Sequence, residues 1–306
     1  MSESAVDKPP VKISPMNDVF MSSLWCDPDN KLILMSLLNC VLTCMQRPRI
    51  LDLSWLSREL LSKKHKGKKT VADVLVKDET GRQYIIEIQR KMSENFMMKM
   101  LYIWSRAYAA QMSEGERYDI DLLPVMAIAF VEFCLPERFR KSRRFVEQFT
   151  VSSTGDERIE LSDHLQIVFV RLGDFWAGNL DVFDMSPEMK AWIDLFSFGI
   201  DWEGIDMASV SVLESPVVMA AYKKFLLFKN DPYMSMLAEE VEAELLDRAV
   251  EKAWRDEVRA EGKAEGKAEG MQEAIISIIQ NMKEKGKSLE DISEVTGLPL
   301  EEIAKL

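Results

Sequence analysis

Histidine is nearly absent from this chain. His65 and His164 are the only two in 306 residues, too few for a histidine-rich metal centre. Cysteine is sparse as well, with Cys26, Cys40, Cys44 and Cys134. Cys40 and Cys44 fall one helical turn apart in an apolar stretch, which predicts buried, reduced thiols rather than a zinc site or a disulfide. No apolar run approaches the roughly 20 residues that a membrane span needs. The opening residues 1–12 are polar, contain Pro9-Pro10 and lack the apolar region of a signal peptide, so the expected location is cytoplasmic and away from membranes. Surplus positive charge is also missing: the net charge of −12 argues against a chain that coats nucleic acid nonspecifically.

What is present begins with two short apolar runs, each interrupted by an acid. Residues 71–76 read Val-Ala-Asp-Val-Leu-Val and residues 84–89 read Tyr-Ile-Ile-Glu-Ile-Gln, joined through Asp78-Glu79-Thr80-Gly81. This is strand composition on either side of a glycine-containing turn, and it predicts a hairpin. Asp73 and Glu87 can come level on one face of it, and Gln89 shares that face with Glu87 because strand side chains repeat with period two. Two carboxylates inside apolar strands are costly to bury unless a cation compensates them, and together they form a minimal cradle for a hard divalent ion such as Mg2+.

Basic residues are clustered, not spread. Residues 58–69 carry Arg58, Lys63, Lys64, Lys66, Lys68 and Lys69 against Glu59 alone, and lead straight into the Asp73 strand. Residues 138–144 add Arg138, Arg140, Lys141, Arg143 and Arg144 without an acid. Both read either as solvated loops or as positioning surfaces for a phosphodiester substrate.

With 47% hydrophobic residues the chain can bury a full core. Residues 18–45 predict a buried helical segment broken near Pro28, and residues 49–55 a first strand. After the two motif strands, Ser93 caps a helix to about Met112. Residues 122–134 read as a central strand covered on both faces, and residues 165–172 as a further strand. Residues 180–231 are helix-rich, with Trp192, Phe196, Phe198 and Trp202 expected in the core. Tyr102, Tyr108 and Met98 also read as core by spacing.

The tail is charged. Acids outnumber bases over residues 238–269, which end in an Ala-Glu-Gly-Lys repeat from Ala260. Like charges one turn apart and repeated glycines make this a poor solitary helix that needs a partner. Three short helical patterns follow. Their Pro299-Leu300-Glu301-Glu302 stretch lacks the outward Arg, Lys, Asn or Gln of a base-reading helix, favouring packing or oligomerisation. The expected organisation is a loose tail over 1–12, a core over 13–178, a helical extension over 179–237, a charged helical linker over 238–270 and a small helical segment over 271–306.

The Asp73 and Glu87-Ile88-Gln89 pattern resembles the PD-(D/E)XK nuclease superfamily, and specifically its recombination-promoting nuclease and transposase branch. The resemblance extends through Asn17-Asp18-Val19-Phe20, Leu37-Leu38-Asn39, residues 69–73, Phe96, Tyr102, Tyr108, Gln111, Gly115, Tyr118, Leu123-Pro124-Val125, the repeats from Ala260 and Thr296-Gly297-Leu298. It implies an α/β, restriction-endonuclease-like core of helix, three strands, helix and strand, with a helical C-terminal extension. It further implies a divalent-metal-dependent DNA endonuclease that hydrolyses phosphodiester bonds in recombination.

In that reading Asp73, Glu87 and the Ile88 carbonyl hold Mg2+ or another divalent cation. Gln89 stands where the superfamily has lysine, and as a neutral amide it can orient water but brings no positive charge. Asp18 matches an acidic family position, as a second-ion ligand or as a helix N-terminal acid. Lys63, Lys64, Lys66, Lys68, Lys69 and Gln111 would contact DNA, Tyr108 would face the site, and Lys99 stands where many relatives have arginine. The C-terminal helices would join copies of the chain. The competing expectation is a nuclease fold with weak or lost activity, acting as a binding or oligomerisation module.

Overall fold

The computed structural model describes residues 12–57, 72–93, 95–112, 122–139, 141–155, 157–181, 185–197 and 211–305. The chain divides into a unit over 1–242 and a second over 243–306. In the first, helices α1 (Asp18–Trp25) and α2 (Lys31–Cys44) precede strands β1 (Leu53–Trp55), β2 (Val74–Asp78) and β3 (Gln83–Gln89). Helix α3 (Phe96–Ala109) leads to β4 (Val125–Val131), β5 (Val146–Ser152) and β6 (Glu160–Arg171). Helices α4 (Leu172–Trp176), α5 (Pro187–Phe196) and α6 (Pro216–Asn230) follow. The six strands form one mixed sheet in the order β1-β2-β3-β4-β6-β5. The expected restriction-endonuclease-like α/β architecture is therefore what the chain adopts.

Period-two alternation along the strands divides the core in two. Val74, Val76, Ile86, Ile88, Ile128, Phe130, Val168 and Val170 face one way, onto α1, α2, α5 and α6. Leu75, Ile85, Ala127, Ala129 and Phe169 face the other, onto Phe96, Met100 and Ile103 of α3. β4 is buried at every residue, as a central strand covered on both faces must be. Trp192 and Phe196 lie in the core as expected, whereas Phe198 and Trp202 lie outside the described residues.

Local chemistry explains the helix starts. Asn17 caps α1 by accepting from the Val19 amide at 3.0 Å. Ser186 and Ser215 cap α5 and α6, each with proline at the first turn, where no amide hydrogen is missed. Gly81 closes the β2–β3 turn with φ 86°, a conformation that favours glycine. At Gly173 a Cβ would sit 2.4 Å from the Glu132 carbonyl oxygen, so only glycine lets α4 start against the end of β4.

Four expectations need correction. The first strand shrinks to three residues because the Leu51 and Asp52 amides are taken by the Glu79 carboxylate, both at 3.1 Å, instead of by a neighbouring strand. β5 was not anticipated; it is an edge strand, only partly buried, whose Glu147-Gln148 polarity masks its period. Cys44 is exposed, since α2 ends there, while Cys40 one turn earlier is buried. Met98 and Tyr102 are exposed on α3, not in the core.

Helix α7 runs without a break over Pro232–Glu284, through the Ala-Glu-Gly-Lys repeat. Glu244 pairs with Arg248 and Glu251 with Arg255, the favourable acid-first order at i,i+4, ahead of the like-charged repeat. In the second unit α8 (Leu289–Thr296), opened by a Ser288/Asp291 capping box, and α9 (Leu300–Ile303) pack back on the end of α7 through Ile279, Ile292 and Ile303.

Candidate active site

Antiparallel pairing of β2 with β3 matches Val74 to Ile86, which sets Asp73 opposite Glu87. Both then lie on the face covered by α3. The two residues are cross-bonded: the Asp73 amide donates to Glu87 Oε1 at 3.3 Å, and the Ile88 amide donates to Asp73 Oδ2 at 2.9 Å. Cys26, the residue ending α1, donates its thiol to the Asp73 carbonyl at 3.4 Å, so a helix end helps fix the strand start.

Glu87 is 0% exposed, and its Oε2 accepts from the Lys99 ammonium on α3. Burial and the Asp73 charge push the Glu87 carboxyl up to about 7, against the downward pull of Lys99. Burial draws the Lys99 ammonium down, yet the Glu87 charge and hydrogen bond outweigh it and hold Lys99 above its ordinary value. Asp18, at the first turn of α1, keeps much of its surface in solvent. Desolvation by the atoms around its carboxyl, then the charges of Asp73 and Glu242, raise it to about 6 against Arg90 and Lys99.

Beside this pair lies a second polar group. Arg90, directly after Gln89, donates to Glu132 at 2.9 Å and to Glu242 on α7 at 2.8 Å. Glu242 also accepts from Asn17 Nδ2 at 2.9 Å and the Ser14 amide at 3.2 Å. Arg90, Glu132 and Glu242 carry no mark in the sequence that separates them from other surface charges. The position of Arg90 at the end of an apolar strand is the one available signal.

The remaining candidates are spent on other partners. Gln89 turns its amide to the Lys91 carbonyl at 2.9 Å. Gln111 clamps the Leu123 backbone, donating to its carbonyl at 3.0 Å and accepting from its amide at 3.1 Å, which supplies the polar reason for an amide at that place. Tyr108 shares a 2.9 Å hydrogen bond with His164 and stacks on Trp104. Lys63, Lys64, Lys66, Lys68 and Lys69 lie outside the described residues.

Among the described residues, no group of three or more His, Cys, Asp or Glu side chains is arranged to hold a metal. Two carboxylates nonetheless fit an ion of the Mg2+ type, which takes one or two protein carboxylates and completes its octahedron with water and substrate phosphate. The fit rests on charge. The Asp73 charge helps to raise both Glu87 and Asp18, and a bound cation would relieve that repulsion.

Comparison with known proteins agrees with this geometry. A family model described as PD-(D/E)XK nuclease family transposase matches residues 15–250, a span that holds every one of these side chains. No curated protein and no solved structure matches the chain.

Proposed function

The chain belongs to the PD-(D/E)XK nuclease family transposases, and from that membership we propose that it is a divalent-metal-dependent DNA endonuclease of the recombination-promoting branch. The observation that carries this reading is the Asp73–Glu87 pair, held face to face across a buried hairpin with Lys99 against it. Asp73 and Glu87 would hold the ion, with the Ile88 peptide, already bonded to Asp73, beside them. When bound, the cation supplies Lewis-acid stabilisation of charge developing on the phosphate.

The chain's own residues do the rest. Lys99 brings the fixed positive charge that Gln89 lacks, from α3 instead of from β3, and its raised pKa keeps it charged at neutral pH. Backbone donation from Ile88 orients Asp73, and the α3 face keeps water from Glu87. Asp18 is placed to accept a proton or to hold a water, because its carboxyl is raised toward neutrality. The C-terminal helices serve association between copies of the chain.

Plasmid cleavage in Mg2+, with EDTA and Asp73→Ala as controls, tests the reading. Cleavage lost in both controls is the expected result; cleavage that persists in both overturns the site. DNA binding without any cleavage by the folded wild type would favour the binding-module reading. Light scattering on the full chain and on residues 1–250 should show a smaller assembly for the shorter one, and equal subunit numbers would remove the tail's role.

A further inference from the structure

Register along the sheet puts a second basic feature at the same end as the carboxylate pair. Gln89 is level with Val131 across β3–β4, and Val131 with Arg171 across β4–β6, while Val146 opens β5 opposite Val170. The segment before β5, residues 141–145, therefore emerges beside the carboxyl ends of the parallel strands, where open α/β sheets bind ligands. Three strand spacings separate β5 from β3, about 14 Å. A nucleic-acid strand covers that lateral distance in about four nucleotides of duplex rise, and it must also pass round the end of the sheet, because the carboxylate pair lies on the α3 face and the elements lining the cleft pack on the α2 face.

This segment is held by an internal cation. Arg171 is 1% exposed and donates Nη1 to the Ser142 carbonyl at 2.7 Å and to the Arg144 carbonyl at 3.3 Å, while its Nε donates to Asp174 at 2.8 Å. A buried ion pair is an expensive way to fix a surface loop. What it fixes is the backbone that presents Arg143 and Arg144.

Those two arginines line a cleft of about 730 Å3 together with Thr43 and Gln46 from the end of α2 and with Ser142 and Gln148. Arg143 is paired with Asp181 at 2.6 Å, whereas Arg144 makes no ion pair among the described residues. Gln46 has φ 55° just after α2, a left-handed position where glycine is at ease, and it lines the cleft.

We propose that this cleft is a phosphate-backbone subsite, in which Arg144, Arg143 and the Gln46 amide hold the nucleic-acid strand a few nucleotides from the phosphate at Asp73 and Glu87. It rests on the nuclease reading and names where that site's substrate runs. Guanidinium groups supply paired donors for phosphate oxygens, and the neutral amides of Gln46 and Gln148 suit sugar and base edges without selecting a sequence. Asp181 competes with phosphate for Arg143 and so tempers the affinity.

The test is binding of a fluorescein-labelled duplex oligonucleotide to the full chain in EDTA, titrated across salt concentration. Replacing both arginines (Arg143→Ala with Arg144→Ala) should weaken binding about 10-fold or more at low salt and flatten the slope of log affinity against log salt by about two, one per lost phosphate contact. Asp181→Asn, which frees Arg143, should tighten binding, a gain that misfolding cannot imitate. Wild-type affinity and slope in both variants would overturn the subsite while leaving the nuclease reading standing. A wild-type protein that binds neither duplex nor single strand would overturn both.

Discussion

Glu87 and Asp174 are both fully buried at the same end of the sheet, and they are compensated in opposite ways. Asp174 is matched charge for charge: Arg171 lies buried beside it, and the Leu135 amide donates to it at 3.3 Å. Glu87 faces a second acid, Asp73, and the cation it accepts from, Lys99, leaves 36% of its side chain in solvent. A closed pair ties backbone to backbone. Two like charges held side by side are eased by an added cation, and that difference separates a structural tie from a candidate site.

The sharpest way to break the contrast is to remove the acid from the closed pair. Asp174→Ala strands a buried guanidinium and should cost about 3–5 kcal/mol in urea denaturation. Glu87→Gln leaves Lys99 with access to water and removes a carboxylate that burial and the Asp73 charge hold above its ordinary value, so at neutral pH stability should hold or rise. Equal losses in the two variants would mean that Glu87 is as structural as Asp174.

Activity should reverse the ranking. Glu87→Gln and Asp73→Asn keep shape and hydrogen-bonding capacity but remove the charge that a cation needs, so cleavage should fall about 100-fold or more. Unchanged rates in either variant, measured on plasmid with saturating Mg2+, would dissolve the assignment of the pair.

The third contrast is titration. In chelator, a carboxyl raised from its ordinary 4.5 to about 7 is protonated in the folded state over a window where the unfolded chain has already released its proton. The folded state then binds more protons than the unfolded one, so stability falls as pH rises from about 4.5 to 7, by up to about 1.4 kcal/mol per pH unit from this group. Asp18 contributes with the same sign. Glu87→Gln should flatten the slope, and an unaltered slope would show that the buried acid is not its source.

The hairpin and its acids were legible in sequence because an acid inside a short apolar run has few structural excuses, and strand period fixes which side chains share a face. β4 was legible for the same reason of continuity. What escaped reading depends on distant partners. Lys99 reaches Glu87 only because α3 packs over β3, and Glu242 reaches Arg90 across 152 positions of sequence. Gln111 shows the converse: a half-buried amide does signal a polar neighbour, but the neighbour is the Leu123 backbone, and sequence spacing cannot distinguish a peptide from a phosphate. β5 was hidden because an edge strand faces water along much of its length.

Glu242 lies between the two extremes and gives the smallest test. It is nearly buried and accepts from Arg90, Asn17 and Ser14, but Arg90 keeps Glu132 as a second acid. Glu242→Gln preserves an acceptor for all three donors and strands no cation, so the expected stability loss is about 1 kcal/mol. The electrostatic consequence is more specific. The Glu242 charge helps raise Asp18, so its removal should lower the Asp18 pKa, readable by NMR titration of the side-chain carboxyl, without moving the Asp73–Glu87 hairpin. If Asp18 titrates as before while stability drops by several kcal/mol, Glu242 belongs with Asp174 as a tie, and the charge surplus is confined to the hairpin.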